Sequence, residues 1–238
     1  MTSAYRLPTA NRPIIGGWRS RRRDYVVHHP ADLMTPIGTS TGNGISAAAI
    51  IRLDASRDRA ALENHFAALE TTDLRNRFCS SCKPECIAQY LAGLPAAGVV
   101  SYGVFDAELA LIAVCQLAAT DADLEVGLTV LTQDRRKGLA IALLSRAATY
   151  ARARGFKALI MHCLADNNAM LALARRIGMA VEVLQGEADG RLKLRAATTW
   201  DFWREVAYDH DGLTDAVAKR CRLATQSILR DLTPKPPG

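Results

Sequence analysis

The chain has no apolar run approaching the ~20 residues that a membrane-crossing helix needs, so no membrane partner is expected. Its first residues, MTSAYRLPTANRPIIGG, lack the apolar stretch of a secretory signal, and a cytoplasmic location is the expectation. Without that signal the six cysteines read as reduced thiols rather than a disulfide framework. Lysine is scarce: six residues against 24 arginines, with a net charge of +6. Four of those arginines, Arg19, Arg21, Arg22 and Arg23, crowd into one short tract. Such a tract touches nucleic acid or an acidic surface in some proteins. A single cluster without interleaved aromatics is poor support for that, and a solvated tail is the favoured reading, with no nucleic-acid partner.

What is present suffices for a full core. At 238 residues and 49% apolar content, one domain with appendages is the prior. Residues 1–45 are rich in Pro, Gly, Ser, Thr and Arg and read as a basic, flexible segment. A folded domain is expected over 46–199, and a helical extension with a frayed tail over 200–238. In that extension Val217, Cys221, Ala224, Ile228 and Leu232 form an apolar stripe on a helix over 214–232. Packing on the core is its plain use; a homodimer contact or a substrate lid is the alternative.

Within the domain, residues 46–53 read as a first strand, and Ser56 is placed to cap a helix running to Leu69. A second helix starts near Pro84. Strands over 99–105 and 109–118 form a hairpin, and 124–131 adds a third antiparallel strand. Residues 157–163 read as a further strand. A helix beginning at Asn167 follows, then a hairpin of 181–185 and 191–197 about a turn at 186–190. The spacing Cys79-x-x-Cys82-x-x-x-Cys86 tempts a metal reading, since two thiolates two residues apart reach one ion. Only three thiols cluster and Cys86 falls inside the second helix, so no metal site is assigned.

One stretch organises the rest, LEVGLTVLTQDRRKGLA from Leu124 to Ala140: an apolar strand, a basic turn and the start of a long helix. Leu139, Leu143, Ala147 and Tyr150 recur at helical spacing, with Arg146, Arg152 and Arg154 assigned to other faces. A helix start leaves N–H groups without intrahelical partners and carries partial positive charge, so it offers donors to an anion. Gly138 and Ala140 let phosphate approach the backbone closely. Arg135, Arg136 and Lys137 add formal charge. The bottom-up reading is a phosphate-binding strand, loop and helix.

Arg135-x-x-Gly138-x-Ala140 after a strand bearing Glu125 resembles the acetyl-CoA motif of the GNAT superfamily of N-acetyltransferases, Q/R-x-x-G-x-G/A. Asn167-x-x-Met170-x-x-Leu173-x-x-x-x-Gly178-Met179 resembles that family's next helix and its terminating glycine. The resemblance spans roughly Ile50 to Ala197. It implies an α/β (α+β) fold with a central mixed, mostly antiparallel sheet of six to seven strands flanked by helices. It also implies acetyl-CoA as co-substrate and direct transfer of acetyl to a primary amine, on a protein lysine or a small molecule. The backbone of Leu128, Thr129 and Val130 would pair with the pantetheine arm. Amides from Arg136 through Leu139 to Ala140 would cradle the pyrophosphate, and Asn167 would bond the pantetheine or cap its helix. Segment 71–86, with Leu74, Arg75, Arg77 and Phe78, resembles the acceptor wall of bacterial protein-lysine acetyltransferases.

Glu125 is the candidate general base. A carboxylate among Leu124, Val126 and Leu128 costs desolvation energy and calls for a reason. The family's tyrosine acid is missing, because Ala174 stands where it would be and donates no proton. His162 and Cys163 are adjacent on a strand and so point to opposite faces, which speaks against a Cys–His dyad. The alternative from another class is a non-catalytic acyl-CoA-binding regulatory module.

Overall fold

The computed structural model describes residues 50–203 and 205–207. The expected basic segment 1–45, the residues at 46–49 and the helix over 214–232 lie outside them. Seven strands form one sheet: β1 (Ile50–Leu53), β2 (Val100–Phe105), β3 (Leu111–Thr120), β4 (Asp123–Val130), β5 (Ala158–Leu164), β6 (Ala180–Leu184) and β7 (Glu187–Lys193). Their order is β1-β2-β3-β4-β5-β7-β6. Every neighbouring pair is antiparallel except β4 with β5. The expected mixed, mostly antiparallel sheet is therefore found.

β3, LIAVCQLAAT, is buried over its first eight residues because both faces of the sheet are covered. On one side lie α1 (Arg59–Ala67), α2 (Thr71–Phe78) and α3 (Pro84–Gly93). On the other lie α4 (Leu139–Ala153) and α5 (Asn168–Arg176). Leu139, Leu143, Ala147 and Tyr150 of α4 are buried in the core, as their spacing predicts.

Several local expectations are corrected. Ser56 does not cap α1: the helix starts at Arg59, after a turn in which Asp54 accepts the Ser56 and Arg57 amides at 3.0 and 2.7 Å. An acceptor two residues earlier captured those amides first. Segment 71–78, which lies between the two helices expected to end at Leu69 and start near Pro84, is itself helix α2. Its C-cap Cys79 adopts φ 54° in the left-handed region. The last hairpin turns at Gln185 and Gly186, with φ of 53° and 85°, and Leu184 pairs with Glu187. Two consecutive positive φ values make the tight primed turn that matches strand twist, so the polar residues 187–190 are drawn into β7. Arg146, assigned to a face other than the Leu139 stripe, is buried against Tyr102 with its guanidinium 4.3 Å from the ring centroid.

Residues 199–203 and 205–207 are helical and return to the α4 side of the sheet. Asp201 is fully buried; it accepts from Arg195 at 2.7 Å, from Arg152 at 3.1 Å and from the Thr198 hydroxyl at 2.7 Å. Burial alone would raise its carboxyl, yet these donors hold it well below the ordinary carboxylate range. Glu205, also buried, pairs with Arg146. The extension begins as part of the folded body, not as a tail.

Candidate active site

β4 and β5 pair only at Leu124 with Leu159 and Glu125 with Ile160. Beyond that seam β4 runs on to Val130 and β5 to Leu164 without pairing to each other. The two strands diverge, and Glu125 sits at the apex of the divergence. Leu128, Thr129 and Val130 lie along the β4 arm, whose other edge is hydrogen-bonded to β3. This opening is a splay between the fourth and fifth strands.

The loop after β4 makes a 3-10 turn at Thr132–Asp134, then passes through Arg136 with φ 65° and Gly138 with φ 84°. Gly138 is the N-cap of α4, and no side chain caps that end. A Cβ built on Gly138 would meet nothing within 4 Å, so the loop surface there is open. The positive φ favours glycine at this position. The amides at the start of this 15-residue helix, beside an open glycine, have no side-chain cap and point the way helix-start donors offered to an anion do.

The three loop cations are disposed differently. Arg135 turns toward α2: its Nη2 is 2.6 Å from Asp73 Oδ2 and its Nε donates to the Val130 carbonyl at 3.2 Å. Lys137 Nζ is 2.7 Å from Asp134. Arg136 is exposed and has no ion pair among the described residues. Arg135 thus ties the loop to α2, while Arg136 is the cation left facing solvent. Asn167 does cap α5, its Oδ1 accepting the Met170 amide at 3.1 Å, which leaves its Nδ2 donor for a ligand. Ala174 is fully buried in α5.

On the α1 to α3 face, α2 packs across β4 and β5. The register places Gln116 opposite Gly127 and Ala118 opposite Glu125, so all four positions share this face. Here lies a polar cluster that sequence reasoning missed. Tyr90 of α3 donates to Gln116 Oε1 at 2.7 Å, and Arg77 of α2 donates to both at 2.9 Å. Gln116 is 1% exposed, and its Nε2 has no hydrogen-bond partner among the described residues. Glu125 lies on this same face, two residues along β4 from Gly127, the register partner of Gln116.

Further along the same face, Cys79, His162, Cys163, Glu187 and Asp189 line a small cleft. His162 Nδ1 lies 2.6 Å from Asp189 Oδ1 across the β5–β7 register pair. Burial alone would lower the imidazole, but the hydrogen bond and charge of Asp189, then the charges of Glu125 and Glu187, carry it above its ordinary value. Burial pushes the Cys163 thiol up to about 11, so it is not a nucleophile near neutral pH. Burial also raises Cys79. Among the described residues no group of three His, Cys, Asp or Glu side chains is arranged to hold a metal ion, Cys79, Cys82 and Cys86 included. No described helix is long and apolar enough to cross a membrane.

Deeper in the sheet, His65 of α1 is enclosed. Its Nδ1 lies 2.7 Å from the Leu111 carbonyl and its Nε2 2.8 Å from Thr129 Oγ1. Since a carbonyl only accepts, Nδ1 carries the proton and the Thr129 hydroxyl donates to Nε2. Burial lowers this imidazole to about 4. It therefore pins β4 as a neutral group.

A family model described as an acetyltransferase (GNAT) domain matches residues 51–180, more than half of the 238. Among solved structures, the chain is similar to the GNAT domain of S. lividans PAT, at 19% identity and a TM-score of 0.55 over 61% of this chain and 89% of that one. It is also similar to a GNAT superfamily phosphinothricin acetyltransferase (Pat) from Sinorhizobium meliloti in complex with AcCoA, at 18% identity and a TM-score of 0.49 over 63% of this chain and 89% of that one. A third is a ribosomal-protein-alanine N-acetyltransferase from Brucella melitensis, at 19% identity and a TM-score of 0.48, covering 61% and 99%. No curated protein matches. At such identities the structural likeness speaks to the fold alone. With the seven-stranded sheet, its splay at β4 and β5 and the family match across that region, the chain belongs to the GNAT acetyltransferase family.

Proposed function

We propose that this protein transfers the acetyl group of acetyl-CoA to a primary amine, on a protein lysine or a small molecule, directly within a ternary complex. The observation that carries the reading is the splay with Glu125 at its apex and the open, glycine-capped start of α4 nearby. The amides from Arg136 to Ala140 would receive the diphosphate, with Arg136 adding charge. The free edge of β4 at Leu128 to Val130 would pair with the amides of the donor's arm, and the Asn167 Nδ2 would add one bond. A backbone N–H on that edge, aimed at the thioester oxygen, would stabilise the charge that develops there.

Glu125 is the base in this reading. It stands in a half-buried position at the point where a donor held on the β4 arm meets an acceptor arriving from the α2 side. α2 forms one wall of the acceptor entrance, held by Arg75 to Asp166 at 3.1 Å as well as by Asp73 to Arg135. These exposed pairs are each worth under about 1 kcal/mol, so α2 is positioned mainly by the packing of Phe78 on Phe66 and Tyr90.

The test is calorimetric titration with acetyl-CoA, followed by thiol release over a panel of amines and lysine peptides. Saturable binding with amine-dependent thiol release is expected. Binding without release to any amine would mark a regulatory acyl-CoA-binding module, and no binding would end the reading.

A further inference from the structure

A thiolate leaving an acetyl group is helped by a proton, and the groups around the cleft differ sharply in their ability to give one. The Cys163 thiol lies at about 11, and burial also raises Cys79 and Tyr90. Tyr90 further commits its proton to Gln116. Ala174 offers nothing. His162 is different in geometry as well as in chemistry. It lies on β5 two residues past Ile160, the last residue paired to β4, and on the same sheet face as Glu125. It lies on the β5 arm beyond the last pair with β4, half-buried in the wall of the small cleft it shares with Cys79, Cys163, Glu187 and Asp189. Asp189 fixes the ring through Nδ1 at 2.6 Å, which turns Nε2 away from that carboxylate.

We propose that His162, held by Asp189, is the general acid that protonates the departing sulfur. The inference rests on the acetyl-transfer reading above. Glu125 takes one proton from the ammonium of the acceptor. The amine nitrogen then bonds to the acetyl carbon, and the carbonyl electron pair moves to oxygen. Collapse breaks the carbon–sulfur bond, the pair stays on sulfur, and the His162 Nε2 proton passes to it. The neutral ring then takes the second proton from the amide nitrogen and is recharged, while Glu125 releases its proton to solvent. One amide, one thiol and one proton leave, and the protein is unchanged.

The charges facing His162 favour the protonated ring. From β7 come Asp189 and Glu187, and from β4 comes Glu125. The α2 side contributes the Cys79 thiol, whose own field includes Arg77 and Arg75. Cys163 is the neighbour on β5. The three carboxylates outweigh burial at the ring. Asp189 is a positioning residue in this scheme, since it acts only through the imidazole.

The experiment compares the full chain with His162→Gln and Asp189→Asn. Turnover with the best amine of the panel is followed against pH, acetyl-CoA affinity by calorimetry, and the His162 ring by nitrogen-detected NMR of the free protein. We expect the ring to carry its proton on Nδ1 when neutral and to titrate above 6.5, with an alkaline fall in kcat/KM at the same pH. Asp189→Asn should move both to lower pH together. His162→Gln should abolish that fall and lower kcat by roughly tenfold to a hundredfold, with acetyl-CoA affinity within about threefold of the parent. Wild-type turnover in His162→Gln, or an alkaline fall that stays put in Asp189→Asn while the ring titration moves, overturns the acid and leaves the acetyl-transfer reading standing. A parent chain that neither binds acetyl-CoA nor releases thiol removes both.

Discussion

The two faces of the sheet each carry a buried polar cluster, and the clusters are built on opposite plans. On the α4 face three arginines, Arg146, Arg152 and Arg195, surround two acids, Asp201 and Glu205, and both acids are almost wholly enclosed. On the α1 to α3 face, Gln116 keeps a buried donor with no partner among the described residues, and the His162–Asp189 pair stands on an open cleft. Closed networks hold parts together; open ones leave groups available to a guest. In the proposed reading, one face serves stability and the other chemistry.

The sharpest way to break that contrast is to attack each face and read both outputs. Glu205→Ala strands the Arg146 charge in a buried site, and we expect a loss of about 3–5 kcal/mol in chemical denaturation. Acetyl-CoA affinity of the folded fraction should be unchanged; a matching loss of affinity would dissolve the distinction. Glu125→Gln should do the converse. Turnover should fall by roughly 10²- to 10⁴-fold in steady-state thiol release, with donor affinity retained and the denaturation midpoint close to the parent's.

A third test uses pH on His65, which belongs to the chemical face but serves structure. Unfolded, this imidazole titrates near 6.5; folded, burial lowers it to about 4. As pH falls, the unfolded chain takes up the proton first. The stabilisation is therefore whole above pH 6.5 and is lost between about 6.5 and 4, by about 3 kcal/mol in all. Denaturation curves for the parent and His65→Gln at pH 7, 5 and 4 isolate this contribution from the carboxylates. Equal slopes with pH would show that His65 takes no part. The smallest effect is expected from Gly138→Ala. The added methyl meets open space, so only the left-handed backbone is strained, by about 1 kcal/mol. Donor affinity should fall more than stability if the loop receives the diphosphate, and calorimetry beside thermal melting reads the ratio.

What the sequence disclosed follows the range of the forces involved. β3, β4, α4 and the Asn167 cap are written in local patterns: an apolar run, a helical repeat, an amide acceptor three residues before its donor. The motif around Gly138 is local too. The His162–Asp189 pair joins strands 27 residues apart through the β5–β7 register, which no local pattern encodes. The burial of Arg146 depends on Glu205, 59 residues away, so helical spacing alone could set its face but not its partner. Arg135 reads as a phosphate ligand by motif, yet Asp73 lies 2.6 Å from it. The hairpin at Gln185 and Gly186, like the Ser56 cap, differs from expectation for a local reason, since the run of polar residues after it resembles the turn itself.

β4 and β5 are joined by a seam of only two residue pairs. Each strand is anchored on its far side, β4 to β3 and β5 to β7, so neither half of the sheet depends on the other for its own ladder. A molecule wedged in the gap would act as a surrogate strand, and the amides of Val126 to Val130 should then exchange with deuterium more slowly. Catalysis and the completion of the architecture would become a single event, renewed with every turnover.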